Sequence, residues 1–220
     1  CTVHLSDTKG KRREETTIFL TEGDSAGGAM IQSRDVQTQA IYSLKGKPLN
    51  THGLGREAVY KNEELYNIMR ALGVEDSLDG LRYNRVVIAT DADVDGMHIR
   101  NLLLTYFLRY FEELVVKRHV YILETPLFRV RNKAETAYCY SEAERDAAAL
   151  RLRGHEVTRF KGLGEIGPRE FKQFISTDDR LVPVTIGSMG DVKKALDFYM
   201  GKNTPARRDY IVENLNSDIA

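Results

Sequence analysis

Hydrophobic residues in this chain fall into short unbroken runs separated by longer stretches at helical spacing. Thr17 to Thr21 and Gln39 to Leu44 read as short strands, and Val86-Val87-Ile88-Ala89 is a run of strand length with no polar face. That pattern predicts strands buried between two layers of helix. Asp24 or Ser25 stands where it can cap a helix reaching about Arg34. A polar helix is expected from about Asn62 to Leu72, and the most apolar one from Met97 to Val116. A turn is expected near Asp79-Gly80. Tyr121 to Val130 reads as a further strand, interrupted by Pro126. Strands alternating with helices predict an α/β fold: a parallel sheet flanked by helices.

The texture changes after Arg131. Tyr138 to Tyr140 has the character of an edge strand. Ser141 to Arg151 reads as an Ala-rich helix with Glu142 and Glu144 in its first turn. A short strand is expected at Glu156 to Phe160, and Pro168 opens a helix to about Ile175. Val192 to Met200 and Pro205 to Asn214 read as two more short helices. These features place a soft boundary near Arg131. Residues 132–220 are then a small, mostly helical tail packing on residues 1–131. Residues 1–16 are polar, with Lys9, Lys11, Arg12 and Arg13 grouped as a solvated lead-in or a phosphate-contacting arm.

Totals narrow the picture less than patterning does. A chain of 220 residues suits one large domain or two small ones. It is 42% hydrophobic and 29% charged, an ordinary globular composition. Lys+Arg and Asp+Glu are both 32, so any nucleic-acid partner must be recognised by local charge. Cys1 and Cys139 form no C-x-x-C pair, and the five histidines lack zinc-ligand spacing. A reduced, cytoplasmic setting is expected. The Met97–Val116 segment carries Arg100, Arg109, Glu112 and Glu113, which argues against a membrane span. A first residue Cys1 rather than Met points to a piece of a longer protein.

Chemistry concentrates after the third run, in Thr90-Asp91-Ala92-Asp93-Val94-Asp95-Gly96. Carboxylates past the carboxyl end of a buried strand lie where open α/β sheets place ligands. Crowded acids raise one another's pKa, and a divalent cation would hold them ionised. Hard oxygen ligands suit Mg²⁺. The same letters open a calcium EF-hand loop, but position twelve is Leu102 rather than Glu, and a strand precedes the motif. A phosphatase with an aspartate nucleophile is chemically sound. It leaves the Glu22 loop and the basic loop Lys45-Gly46-Lys47-Pro48-Leu49-Asn50 without a task. A capped loop with solvated acids would explain Asp95 alone. Glu22 also ends a strand at a glycine turn, Glu22-Gly23-Asp24-Ser25-Ala26-Gly27-Gly28. In a parallel sheet it would meet Asp91 at one edge. Such a set can hold one or two Mg²⁺ about 4 Å apart, a spacing suited to phosphoryl transfer, and Glu22 could shuttle a proton.

The segments at 22–28, 44–50 and 90–100, with Arg159-Phe160-Lys161-Gly162-Leu163-Gly164-Glu165, closely resemble the B subunit of bacterial type IIA DNA topoisomerases, in the family's order and over nearly the whole chain. The resemblance implies a Rossmann-like Toprim metal-binding domain over 1–131 and the family's C-terminal tail over 132–220. It makes Glu22, Asp91 and Asp93 Mg²⁺ ligands, Glu22 also a general acid/base, and Asp95 an auxiliary acid. Lys45, Lys47 and Asn50 match a DNA-contacting loop, and His98 and Lys161 are expected to face DNA. Asp24, Arg34 and Lys45 fall where fluoroquinolones lodge.

The nucleophile implied is a tyrosine of a partner A subunit in an A2B2 enzyme acting on double-stranded DNA. None of the 11 tyrosines here is then catalytic. ATP is expected to serve the full-length protein only. The wording of 35–44 and of Thr125 to Val130 looks more like the topoisomerase IV branch than the gyrase branch. Departures from the pattern are Ala29-Met30-Ile31 for a common Ser-Ala-Lys, Ser43 for a proline, and Ile166-Gly167 for Met-Asn.

Overall fold

Both faces of the central strands are covered, and this is why the run from Val86 to Ala89 has no polar face. The computed structural model describes residues 3–4, 13–176, 180–187 and 189–201. Its strands are β1 (Val3–His4), β2 (Thr17–Glu22), β3 (Gln39–Leu44), β4 (Arg85–Ala89), β5 (Val120–Leu123), β6 (Phe128–Arg131), β7 (Thr136–Cys139), β8 (Glu156–Arg159) and β9 (Leu181–Pro183). Its helices are α1 (Gly23–Ser33), α2 (Glu57–Lys61), α3 (Glu63–Leu72), α4 (Val94–Tyr110), α5 (Glu112–Val116), α6 (Glu142–Arg151), α7 (Pro168–Ile175) and α8 (Met189–Met200).

The main sheet has the order β1-β3-β2-β4-β5-β9. β3, β2, β4 and β5 run parallel, as expected. Both edges are antiparallel, so the sheet is mixed. Along β2, Ile18 and Leu20 face a layer built from α3, α4 and α5, where Leu65, Met69, Leu103, Tyr106 and Phe107 are buried. Phe19, between them, points to the opposite layer, where it meets Met30 of α1 and Phe171 of α7. The period of two puts successive side chains into different cores. The tail thus supplies part of one core layer.

Three expectations need correction. The helix expected from Met97 to Val116 begins at Val94 and breaks at Phe111 into α4 and α5. Phe111 leaves the helical conformation and buries its ring edge-on to Tyr106, at 5.3 Å between centroids. The strand expected from Tyr121 to Val130 is two strands in different sheets. β5 stays in the main sheet, and past Pro126 the chain crosses into a three-stranded antiparallel sheet, β7-β6-β8. Neither Asp24 nor Ser25 caps α1: the strand runs on to Glu22, which takes the N-cap position without a side-chain cap bond.

Elsewhere local signals set the helix ends. Asn62 caps α3 through its side chain, Gly73 ends that helix in the left-handed region, and Ser141 caps α6. The tail carries β7, β8 and β9 besides its helices. The helix expected at Pro205 to Asn214, and Lys9, Lys11 and Arg12, lie outside the described residues. Arg13 donates to the Leu81 carbonyl, a structural role. Among the described residues no helix is long and apolar enough to cross a membrane.

The small sheet is tied to α7 by a half-buried polar knot. Glu170 accepts from Arg129 at 2.7 Å and from the Tyr138 hydroxyl at 2.8 Å. Burial alone would raise the Glu170 pKa, but these bonds outweigh it and hold the carboxyl below its ordinary value. A depressed carboxylate contributes stability above its unfolded pKa, and loses it as pH falls through the folded one. Arg129→Ala should therefore cost about 1–3 kcal/mol at pH 7, since it leaves the partly buried Glu170 charge without its ion-pair partner. Urea titrations of variant and wild type should converge as pH drops below the ordinary glutamate range. A gap that persists unchanged at low pH would refute the ionic assignment.

Candidate metal and nucleic-acid site at the sheet edge

In-phase pairing of β2 with β4, from Thr17 opposite Arg85 to Thr21 opposite Ala89, ends both strands at one edge. Glu22 closes β2 there, and the chain after β4 delivers Asp91, Asp93 and Asp95. β3 finishes beside them, with Leu44 opposite Glu22, so Lys45 to Lys47 join the same edge. Gly23 turns the chain out of the strand with a left-handed φ of 72°.

Each acid has a distinct environment. Glu22 is half-buried, and its Oε2 is buried with no hydrogen-bond partner among the described residues. Its pKa is raised by burial first, then by the charges of Asp91 and Asp93. The Asp91 N–H, hydrogen-bonded to it, works the other way. Asp91 Oδ1 accepts the Leu163 N–H at 2.7 Å. Burial raises the Asp91 pKa most, Asp93 and Glu165 add to that, and the Leu163 N–H opposes them. Asp93 caps α4, its Oδ1 accepting the Gly96 N–H at 2.7 Å. Asp95 is exposed and pairs with Lys47 at 2.6 Å, which holds its carboxyl below the ordinary range.

Gly96 belongs to this arrangement for steric reasons. A Cβ there would lie 2.1 Å from the Asp91 carbonyl oxygen, so only glycine lets α4 start so close to the strand end. The edge therefore gathers Glu22, Asp91 and Asp93 within electrostatic reach of one another. Among the described residues, however, no three His, Cys, Asp or Glu side chains form a group set to hold a metal ion. The reason is visible in the partners just named: Asp93 is turned back to its helix and Asp95 to Lys47. The fit to a divalent cation rests instead on the orphaned Glu22 oxygen and on the crowding that raises Glu22 and Asp91. A cation would relieve both.

The basic residues are placed unevenly. Lys45 pairs with Glu63 at 3.3 Å, and its N–H donates to Glu64. Lys161 is exposed, and its N–H donates to Glu165. Asn50 is occupied structurally: its amide donates to the Met200 carbonyl at 2.9 Å, and its oxygen accepts the His52 N–H. His98 is exposed on α4 and lines, with Asn50, Met97 and Tyr199, a groove of about 390 Å³ beside the edge. Arg34 stands apart. Asp24 is exposed in the first turn of α1, whereas Arg34 follows its last residue and donates to the Gln39 carbonyl at 3.0 Å. A helix of that length separates them by roughly 15 Å, so the trio Asp24, Arg34 and Lys45 does not assemble.

Sequence reasoning overlooked the Leu163 N–H. The Lys161-Gly162-Leu163-Gly164-Glu165 stretch offered a lysine and so suggested a charge contact. Its apolar centre flanked by glycines was the available signal: Leu163 is buried against α1 and brings its main chain to Asp91. Ser43, a departure noted above, lies where Gly27 of α1 passes, 2.2 Å from a Cβ built there.

The Toprim domain family matches residues 17–125, and the family described as DNA gyrase B subunit, carboxyl terminus, matches residues 153–212. The B subunit of DNA topoisomerase 4 from Borreliella burgdorferi is 60% identical over 98% of this chain and 36% of its own length. The B subunit of DNA gyrase from Thermus thermophilus is 39% identical over 96% of this chain and 35% of its own. In three dimensions, the DNA-binding, cleavage and re-ligation domain of Plasmodium falciparum topoisomerase II superposes with a TM-score of 0.81 at 27% identity, covering 96% of this chain and 31% of that one. The chain spans about a third of the length of these relatives. It belongs to the B-subunit family of type II DNA topoisomerases, as a Toprim domain followed by the family's carboxyl-terminal region.

Proposed function

We propose that the full protein, paired with an A subunit that carries the catalytic tyrosine, cleaves and religates double-stranded DNA for strand passage. The orphaned Glu22 Oε2 at an edge shared with Asp91 and Asp93 is the observation that supports this most. On this reading Glu22, Asp91 and Asp93 hold Mg²⁺ (one ion or two), with Asp95 auxiliary. Mg²⁺ bound there would stabilise charge on the transferring phosphate and on the departing oxygen.

The A subunit's tyrosine oxygen forms its bond to phosphorus while the bond from phosphorus to the 3′-oxygen breaks. This leaves a 5′-phosphotyrosyl link and a 3′-hydroxyl. Glu22 is the group assigned to give a proton to that oxygen and retake it on resealing. Lys45, Lys47 and Lys161 stand where they can meet backbone phosphates as point charges. For Lys47 this means exchanging Asp95 for a phosphate. Tyr42, Tyr83 and Tyr106 of this chain are fully buried, and burial raises their pKa, which makes them poor nucleophiles.

Within the family we assign the chain to the topoisomerase IV branch, for which the 60% identity to a topoisomerase 4 relative against 39% to a gyrase relative is the support. The holoenzyme should then decatenate and relax DNA with ATP. Negative supercoiling would instead place it with gyrase.

With its A subunit, the full-length protein should cleave DNA only with Mg²⁺, and Glu22→Gln should slow cleavage by about 10²–10⁴-fold. Full cleavage by both Glu22→Gln and Asp91→Asn would end the reading.

Calorimetry of the full-length protein without its A subunit offers a second check. Magnesium at a hundred times its Kd should stabilise the fold by about 2.7 kcal/mol, with no such gain in Asp91→Asn. Without metal, Glu22→Gln should raise Tm at neutral pH. The folded pKa of Glu22 lies above the unfolded one, so ionised Glu22 destabilises the fold at high pH, and the difference fades as pH falls toward the ordinary glutamate value.

Charge contacts are tested separately. Lys45→Ala or Lys47→Ala should weaken binding to every DNA sequence and flatten the slope of log K against log salt by about one unit each. An unchanged slope removes that lysine from the phosphate contacts.

A further inference from the structure

We propose that Leu163, through its main-chain N–H, is a positioning residue that sets the Asp91 carboxylate for its cation, and that Gly162 is glycine to leave that carboxylate room. The inference rests on the metal reading above and adds a component from the carboxyl-terminal region, 72 positions along the chain from Asp91.

Three observations converge on it. The Leu163 N–H reaches Asp91 Oδ1 at 2.7 Å, a strong bond to a charged acceptor. Gly162 has φ −153° and ψ 165°, extended backbone open to any residue, so conformation does not explain the glycine. Space does: a Cβ on Gly162 would lie 2.6 Å from Asp91 Oδ2 and 3.1 Å from its Cγ. Finally, the loop is held rigidly. Leu163 is 1% exposed in the core layer shared with Phe19 and Met30, and Glu165 accepts the Lys161 N–H at 2.9 Å across the turn. The donor is therefore fixed by packing rather than by Asp91 itself.

The consequence is specific. The atoms that a Gly162 Cβ would strike belong to the mobile end of one side chain. The cheapest relief is rotation of the Asp91 carboxylate, which spares the fold and displaces the ligand. Partners that orient a ligating group typically change metal affinity 10- to 100-fold when removed.

The test uses the full-length protein, with Mn²⁺ as a spectroscopic probe whose bound fraction is read by electron paramagnetic resonance. Gly162→Ala displaces the carboxylate. A second variant, with leucic acid in place of Leu163, converts the amide to an ester, which removes the N–H and weakens the Gly162 carbonyl as acceptor of the Glu165 N–H. Both should fold, and both should weaken Mn²⁺ binding at least tenfold. In the holoenzyme both should raise the Mg²⁺ concentration for half-maximal DNA cleavage, with cleavage at saturating Mg²⁺ near the wild-type level. A purely structural lesion would lower cleavage at every Mg²⁺ concentration and would overturn the inference, as would wild-type Mn²⁺ affinity in both variants. Should wild-type protein show no Mn²⁺ binding that Asp91→Asn abolishes, the metal reading itself falls, and this inference with it.

Discussion

Register between β2 and β4 is the constraint on which this structure depends. Five consecutive pairs, Thr17 with Arg85 through Thr21 with Ala89, bring two strands to the same edge in phase. Glu22 and Asp91 are far apart in sequence and become neighbours only through this pairing. A slip of one residue would turn every side chain of β2 to the other face. Phe19 would then leave the α1 and α7 layer, and Glu22 would no longer face the acids. Because both faces of β2 are buried, such a slip has no compensating arrangement. Core packing and the placement of the acids are thus one requirement.

That placement carries an electrostatic cost. Glu22 and Asp91 are both raised, with burial as the first cause and neighbouring acids adding to it. The protein answers mostly with dipoles. The Asp91 N–H serves Glu22, the Leu163 N–H serves Asp91, and the Gly96 N–H serves Asp93. The ion pair of Lys47 with Asp95 is exposed and so worth little to stability. Main-chain donors moderate the repulsion without neutralising it, which leaves the set responsive to a cation. Sites of this kind trade stability for function. Here the trade is localised to one orphaned oxygen on Glu22.

Much of this was legible in the sequence because it is governed by local rules. Short strand-length segments identified β2, β3 and β4, and Asn62 marked the start of α3. A strand followed by acids at alternate positions placed Asp91 and Asp93 at the edge. What escaped was governed by distant partners. Phe111 breaks a helix because Tyr106 offers its ring a buried seat, which no capping signal announces. Pro126 marked an interruption, but the departure of β6 into a second sheet depends on β7 and β8, which come later in the chain. Asn50 resembled a DNA contact, yet its amide is spent on the end of α8. Arg34 is close to Asp24 in sequence, and a helix carries it to the far end.

The shape of the site also bears on the substrate. Two hollows, of about 530 Å³ beside Arg56 and Phe111 and about 590 Å³ beside Arg34 and Lys172, are lined by none of Glu22, Asp91, Asp93 and Asp95. Small-molecule chemistry is usually done in an enclosing cleft, so a phosphatase acting on a small monoester would want one at Asp91. The acids stand instead on an open edge, with Lys45, Lys47 and Lys161 around them. The chain as a whole has 32 basic and 32 acidic residues, so its total charge attracts nothing in particular. On the proposed function, a polyanion would be drawn by the local arrangement. Acids and lysines interleaved on an exposed edge suit a long phosphate backbone that lies across the edge and is gripped on either side of one reacting bond. On the function proposed above, the nucleophile arrives from the A subunit, across the same open side.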